Sequence, residues 1–161
     1  METTALAAGD VRWVFPDAES PGELLALLGQ ASTRIEKLAE RLGVRPGWTG
    51  SGLEFHHGHV EAEASLFGCA EVVDVSFVVA LDRGRGSEPG PGVARRWELD
   101  ATVSVRCDHV ADCGTHTIER KTASFDAELH AARGLAEAAA WLLERGIAEA
   151  PDSWRGRSVE D

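Results

Sequence analysis

The chain has no tyrosine and one methionine, and only Lys37 and Lys121 are lysines among its 16 basic residues. Arginine therefore carries most of the positive charge, and alanine and glycine are abundant. That bias points to a GC-rich bacterial coding sequence and says nothing about function. Positive charge is scarce overall: 16 Lys and Arg stand against 27 Asp and Glu, for a formal net charge of −11. A field of this sign repels phosphate backbones, which disfavours nucleic-acid binding; it would suit a basic partner, and the plainer reading is that it keeps the chain in solution. No run approaches the roughly 20 apolar residues of a membrane span. The opening METTALAAGD lacks the basic region and apolar stretch of a signal peptide. The three cysteines are an odd number without an export signal, so reduced thiols and a cytoplasmic location are expected.

What is present is patterned. At 161 residues, 43% of them hydrophobic, the chain is sized for one domain with its own core. That core is expected to run from about residue 11 to about 147, with 1–9 and 148–161 as flexible tails. SPGELLALLGQASTRIEKLAERLG carries a helix: Ser20 caps, Pro21 suits the first position and Glu23 completes a capping box. Leu24, Leu28, Ala31, Ile35, Leu38 and Leu42 share one face of it, and Gly43 ends it. Upstream, VRWVFPD reads as a short edge strand stopped by Pro16.

After RPGWTGSG the period changes to two. LEFHHGHVEAEASLF is a hairpin turning at His57-Gly58, with Leu53, Phe55, Val60, Ala62, Ala64 and Leu66 on its apolar face. EVVDVSFVVAL alternates through Val73, Val75, Phe77, Val79 and Leu81. RRWELDATVSVRCDH places Trp97 through His109 on one face and Glu98 through Asp108 on the other. THTIERKTASF is more polar and belongs at an edge. DAELHAARGLAEAAAWLLERG is a last helix, capped by Asp126, stopped by Gly146 and lined by Leu129, Ala132, Ala136, Ala139 and Leu143. The fold class is α+β: an N-terminal helix, an antiparallel meander of about five strands and a long C-terminal helix. A helix-grip, START-like arrangement, with a ligand cavity between sheet and last helix, is the alternative.

The densest chemistry lies in CDHVADCGTH, residues 107 to 116. In a strand, Cys107 and His109 point the same way, about 6–7 Å apart. A following turn brings Cys113 and His116 back towards them. Two thiolates and two imidazoles suit tetrahedral zinc. In a meander, the turn holding Cys69 lies at the same end of the sheet. The spacing C-x-H-x3-C-x2-H nevertheless lacks the paired knuckles of familiar zinc sites. The plainer reading is a small core cysteine followed by a polar turn.

LEFHHGHVE is the second cluster. A two-residue turn sets His56 opposite His59 and Glu54 opposite Glu61, all on one face. Facing carboxylates are unfavourable, and a zinc-like cation would relieve them. The plainer reading is the solvated face of a hairpin whose other side is buried.

Other patterns fall short. RGRGSEPGPG holds two arginines among glycines but has no P-loop lysine and opens no helix. GWTGSG has Thr49 where a nucleophile elbow requires glycine. Asp108 points away from Cys107 and His109, so they form no triad. The expected function is a small acidic binding or accessory protein without catalytic activity or cofactor; the sequence does not identify its protein partner, a basic one being the kind its charge would suit. Zinc binding at residues 107–116 is one alternative. A small-molecule binder or enzyme with a cavity under the last helix is another. An uncovered sheet face or edge would also permit a homodimer.

Overall fold

The computed structural model of the protein describes residues 8–15, 18–42, 49–56, 58–67, 73–84, 96–106 and 115–149. The elements are α1 (Ala8–Val14), α2 (Pro21–Leu42), β1 (Thr49–His56), β2 (His59–Phe67), β3 (Val73–Arg83), β4 (Trp97–Arg106), β5 (Thr115–Phe125) and α3 (Glu128–Glu149). The five strands pair antiparallel in the order β1-β2-β3-β4-β5, so each strand lies beside its neighbour in sequence. This is the expected layout of N-terminal helix, five-stranded sheet and C-terminal helix, with the short α1 added in front.

Alternation makes the sheet two-faced. Val60, Ala62 and Ala64 of β2, Val75, Phe77, Val79 and Leu81 of β3, and Trp97, Leu99, Ala101 and Val103 of β4 are buried on one side. Helix α2 covers β1 and β2, while α3 covers β3, β4 and β5. Two long helices thus share the inner face side by side, in place of the single gripped helix of the alternative fold. Arg34 of α2 donates a hydrogen bond to the Ala136 carbonyl of α3, tying the pair together. The start of α2 falls at the expected position: the Leu24 N–H donates to the Ser20 carbonyl at 3.2 Å, and Pro21 opens the helix.

Three elements differ from the sequence reading. VRWVF is helical. Val11, Val14 and Phe15 stand at i, i+3 and i+4, so a helix buries all three, whereas a strand would turn Val14 outward. Strand β1 starts at Thr49, four residues before Leu53, because β2 runs to Phe67 and its far half needs partners: Thr49 faces Leu66 and Gly52 faces Glu63. Helix α3 continues through Gly146 to Glu149. Its buried stripe contains Ala131, Leu135, Ala138 and Leu142 beside the expected Ala132, Ala136 and Ala139, while Leu129 and Leu143 are only partly buried. The Ala131 N–H donates to the Ala127 carbonyl at 3.0 Å, which puts Ala127 at the cap position in place of Asp126, whose carboxylate accepts a 2.8 Å hydrogen bond from Arg96 Nε. That hydrogen bond, and then the guanidinium charge, hold Asp126 below the usual carboxylate range.

Strand β5 is an edge, as its polarity implied. Lys121 and Glu119 occupy inward positions opposite Ala101 and Val103. Lys121 lies 5.9 Å from the ring centre of Trp141, and Glu119 pairs with Arg145 at 3.0 Å. Inward charges on an edge strand oppose edge-to-edge association. Ile118, skipped by the register shift between Val103 and Ser104, stays exposed.

At the start of α3 the Phe125 ring lies directly over Gly134, and a Cβ there would overlap it. Gly134→Ala therefore sets about 1 kcal/mol of helix propensity against roughly 1–3 kcal/mol of overpacking. The expected result is a net loss of about 1 kcal/mol in urea unfolding; a stabilised variant would show that the ring swings aside freely.

Candidate functional site

The other face of the sheet carries no described helix, and strand register arranges its residues in rungs. The rung Ser65–Ser76–Ser104–Thr117 is neutral. Ser65 is buried; its hydroxyl donates to Glu63 and lies 3.5 Å from Ser76 Oγ, while Ser104 and Thr117 stand 3.3 Å apart. The next rung is Glu63–Val78–Thr102–Arg120. Beyond it run Glu54–Glu61–Ala80–Asp100–Thr122 and then His56–His59–Asp82–Glu98–Ser124. The face is thus polarised along its strands, with hydroxyls at one end and carboxylates at the other.

The acidic half contains Glu54, Glu61, Glu63, Asp82, Glu98 and Asp100. Among the side chains described on the paired strands of this face, Arg120 is the single permanent cation; Arg96, one residue before β4, feels the charge of Glu98 but is hydrogen-bonded to Asp126. Arg120 is already engaged, with Nε 2.9 Å from Asp100 Oδ1 and Nη2 2.5 Å from Oδ2. These hydrogen bonds, followed by the Asp100 charge, push Arg120 above its ordinary value. Glu54 and Glu61 are direct cross-strand partners, an arrangement that disfavours the hairpin unless positive charge comes between or beside them.

The second predicted cluster is brought together as a corner of this face. His56 pairs with His59 across the hairpin, with ring centres 5.8 Å apart, and Gly58 in the connection has φ +68°. His56 Nε2 lies 4.0 Å from Glu54, and His59 Nε2 lies 3.9 Å from Glu61. His59 has a closer partner from β3: its Nδ1 donates to Asp82 Oδ1 at 2.6 Å, since a carboxylate can only accept. The ring is thereby oriented with Nε2 towards Glu61. Among the described residues, no three His, Cys, Asp or Glu side chains gather closely enough to hold a metal ion.

Of the first cluster, Cys69, Cys107, His109 and Cys113 lie outside the described residues, while the His116 backbone pairs with Val105 in β5. The strand ends that flank these residues (Phe67, Val73, Arg106 and Thr115) stand at the hydroxyl end of the sheet. The histidine corner is at the opposite end from these strand ends. The RGRGSEPGPG loop is described only through Arg83 and Gly84. His130 is exposed on α3.

Sequence reasoning missed Asp82 and Glu98 as members of the hairpin corner. Glu98 is legible as outward-facing within its strand, whereas the strand reading stops at Leu81 and assigns Asp82 to the following loop; β3 runs to Arg83, and the β2–β3 and β3–β4 register sets both beside His59. The chain matches no protein-family model, no curated protein and no solved structure. None of the described helices is long and apolar enough to cross a membrane.

Proposed function

We propose that the protein binds a basic protein segment on the open face of its sheet. The observation that carries this reading is the imbalance of the acidic half: against six carboxylates stand Arg120, already engaged by Asp100, and at the margin Arg96, already engaged by Asp126. Charge of one sign gathered on one wet face raises the local concentration of oppositely charged partners and speeds their encounter. The net charge of −11 acts in the same direction at long range. A nucleic acid or an anionic lipid surface would be repelled by the same field.

Gathering carboxylates on a sheet destabilises the free protein by mutual repulsion, and a basic partner removes that repulsion on binding. The probe is a labelled eight-residue lysine peptide, with binding followed by fluorescence anisotropy at low ionic strength. Each exposed ion pair is worth about 0.2–1 kcal/mol, so the triple variant Glu61→Gln, Glu63→Gln, Glu98→Gln is expected to weaken binding about tenfold. A control triple on the helices, Glu36→Gln, Glu40→Gln, Glu137→Gln, removes the same charge and is expected to change affinity less than about twofold. Equal effects of the two triples, or no binding by the original protein, would overturn the reading.

A further inference from the structure

The open face is polar almost everywhere, but its central strand is not. Among the side chains described there, the apolar ones in register are Val78 and Ala80, adjacent outward positions of β3. Both are partly buried and lie within the acidic half. Ala80 sits between Glu61 and Asp100 on its own rung, and Asp82 follows it along the strand. Glu61 and Asp100 are two strands apart, roughly 10 Å between backbones, with only a methyl group between them. The result is a shallow apolar floor with carboxylates on both sides.

The protein shows how such a carboxylate is met. Arg120 reaches from one rung of β5 to the next rung of β4 and takes Asp100 with both arms of its fork. On the other side of the floor, Glu61 has no arginine among the described residues; its charged neighbour there is His59, whose Nε2 lies 3.9 Å away. We infer that the partner supplies that arginine: its stem lies on Val78 and Ala80, and its guanidinium forks onto Glu61 beside Asp82. This rests on the reading that the open face binds a basic protein segment, and it names the residue type and the seat.

Arginine fits this seat better than lysine for two reasons. A guanidinium is planar and weakly hydrated, so it lies flat on an apolar floor at small desolvation cost, and it meets a carboxylate with two parallel hydrogen bonds. A lysine ammonium is a compact, strongly hydrated point charge that gains nothing from the floor beyond its stem. Long-range attraction is the same for both, so their difference isolates the seat.

The test compares an eight-residue arginine peptide with the lysine peptide of equal charge, against the intact protein and two floor variants. The arginine peptide is expected to bind about fivefold tighter than the lysine peptide. Ala80→Leu fills the floor and lifts the guanidinium off Glu61. It is expected to bring the arginine preference below about twofold, with arginine-peptide affinity falling further than lysine-peptide affinity. Val78→Thr keeps shape and strand preference, adds a hydroxyl to the floor and should reduce the preference in the same direction. It decides the matter if Ala80→Leu disturbs the sheet. Equal binding of the two peptides by the original protein, or a preference that survives both floor variants, overturns the seat. Loss of the contrast between the face triple and the helix triple instead overturns the parent reading, so the two failures are told apart.

Discussion

Replacing Trp97 with alanine lowers the unfolding free energy by about 3–5 kcal/mol. The indole is 1% exposed at the first position of β4, between Arg83 and Phe125 in register, with its ring centre 4.8 Å from that of Phe15. No neighbouring element can collapse into the space it leaves, because β3 and β5 are held at their own ladder spacing on either side. The loss is a large part of the roughly 5–15 kcal/mol of a typical domain. It also acts at a distance in sequence. Phe15, with Val11 and Val14, is how α1 reaches the core, so removing its ring partner loosens the seven-residue helix first. Urea unfolding followed by far-ultraviolet circular dichroism gives the global figure, and amide exchange over Ala8–Val14 gives the local one. A loss below about 1 kcal/mol would mean that the end of the sheet is not closed by this aromatic pair.

The opposite operation, adding volume, is expected to be most damaging on α3. Ala131, Ala132, Ala136, Ala138 and Ala139 are all buried there, on a helix that meets α2 on one side and β3 to β5 on the other. Small side chains let the helix axis approach both surfaces closely, and interiors at crystal-like density leave no room for three further carbons. Ala139→Leu should destabilise by about 2 kcal/mol through overpacking, since leucine's helix propensity is close to alanine's and leaves the helix itself intact. Glu137→Leu, two residues away on the exposed side, changes the same helix by less than about 0.5 kcal/mol. Similar losses in the two variants would place the closest packing of α3 elsewhere on the helix.

The fold was legible wherever one periodicity had no rival. Strict alternation from Trp97 to Val105 admitted only a strand, and the capped, four-and-three spacing from Pro21 to Leu42 admitted only a helix. The polarity of residues 115–125 placed β5 at an edge before any pairing was known. Legibility failed where two periods fit the same residues, as in VRWVF, and where residues carried no pattern, as in the glycine-rich start of β1. It failed in a third way on α3, where alanines on every side leave the rotational phase of the helix undetermined by sequence. The candidate face divides along the same line. Its hairpin half, Glu54, His56, His59 and Glu61, follows from a local turn. Asp82, Glu98 and the floor of Val78 and Ala80 join it only through register between strands, which alternation within one strand does not specify.

The up-and-down order of the strands has a consequence for how the chain is made. Each hairpin can close with its immediate neighbour, so the sheet assembles by short loops as it leaves the ribosome. The helices cannot follow that schedule: Arg34 and the Ala136 carbonyl it grips are 102 residues apart, with all five strands between them. Until α3 is synthesised, no other described helix covers most of the apolar side of β3, β4 and β5: α2 lies mainly on the first two strands, and Phe15 reaches only the Trp97 end of β4. Burial of the core therefore waits for the last helix to dock. During translation the sticky side of the nascent sheet is open longest where it is most apolar, which makes the arrival of α3 the step that separates folding from aggregation.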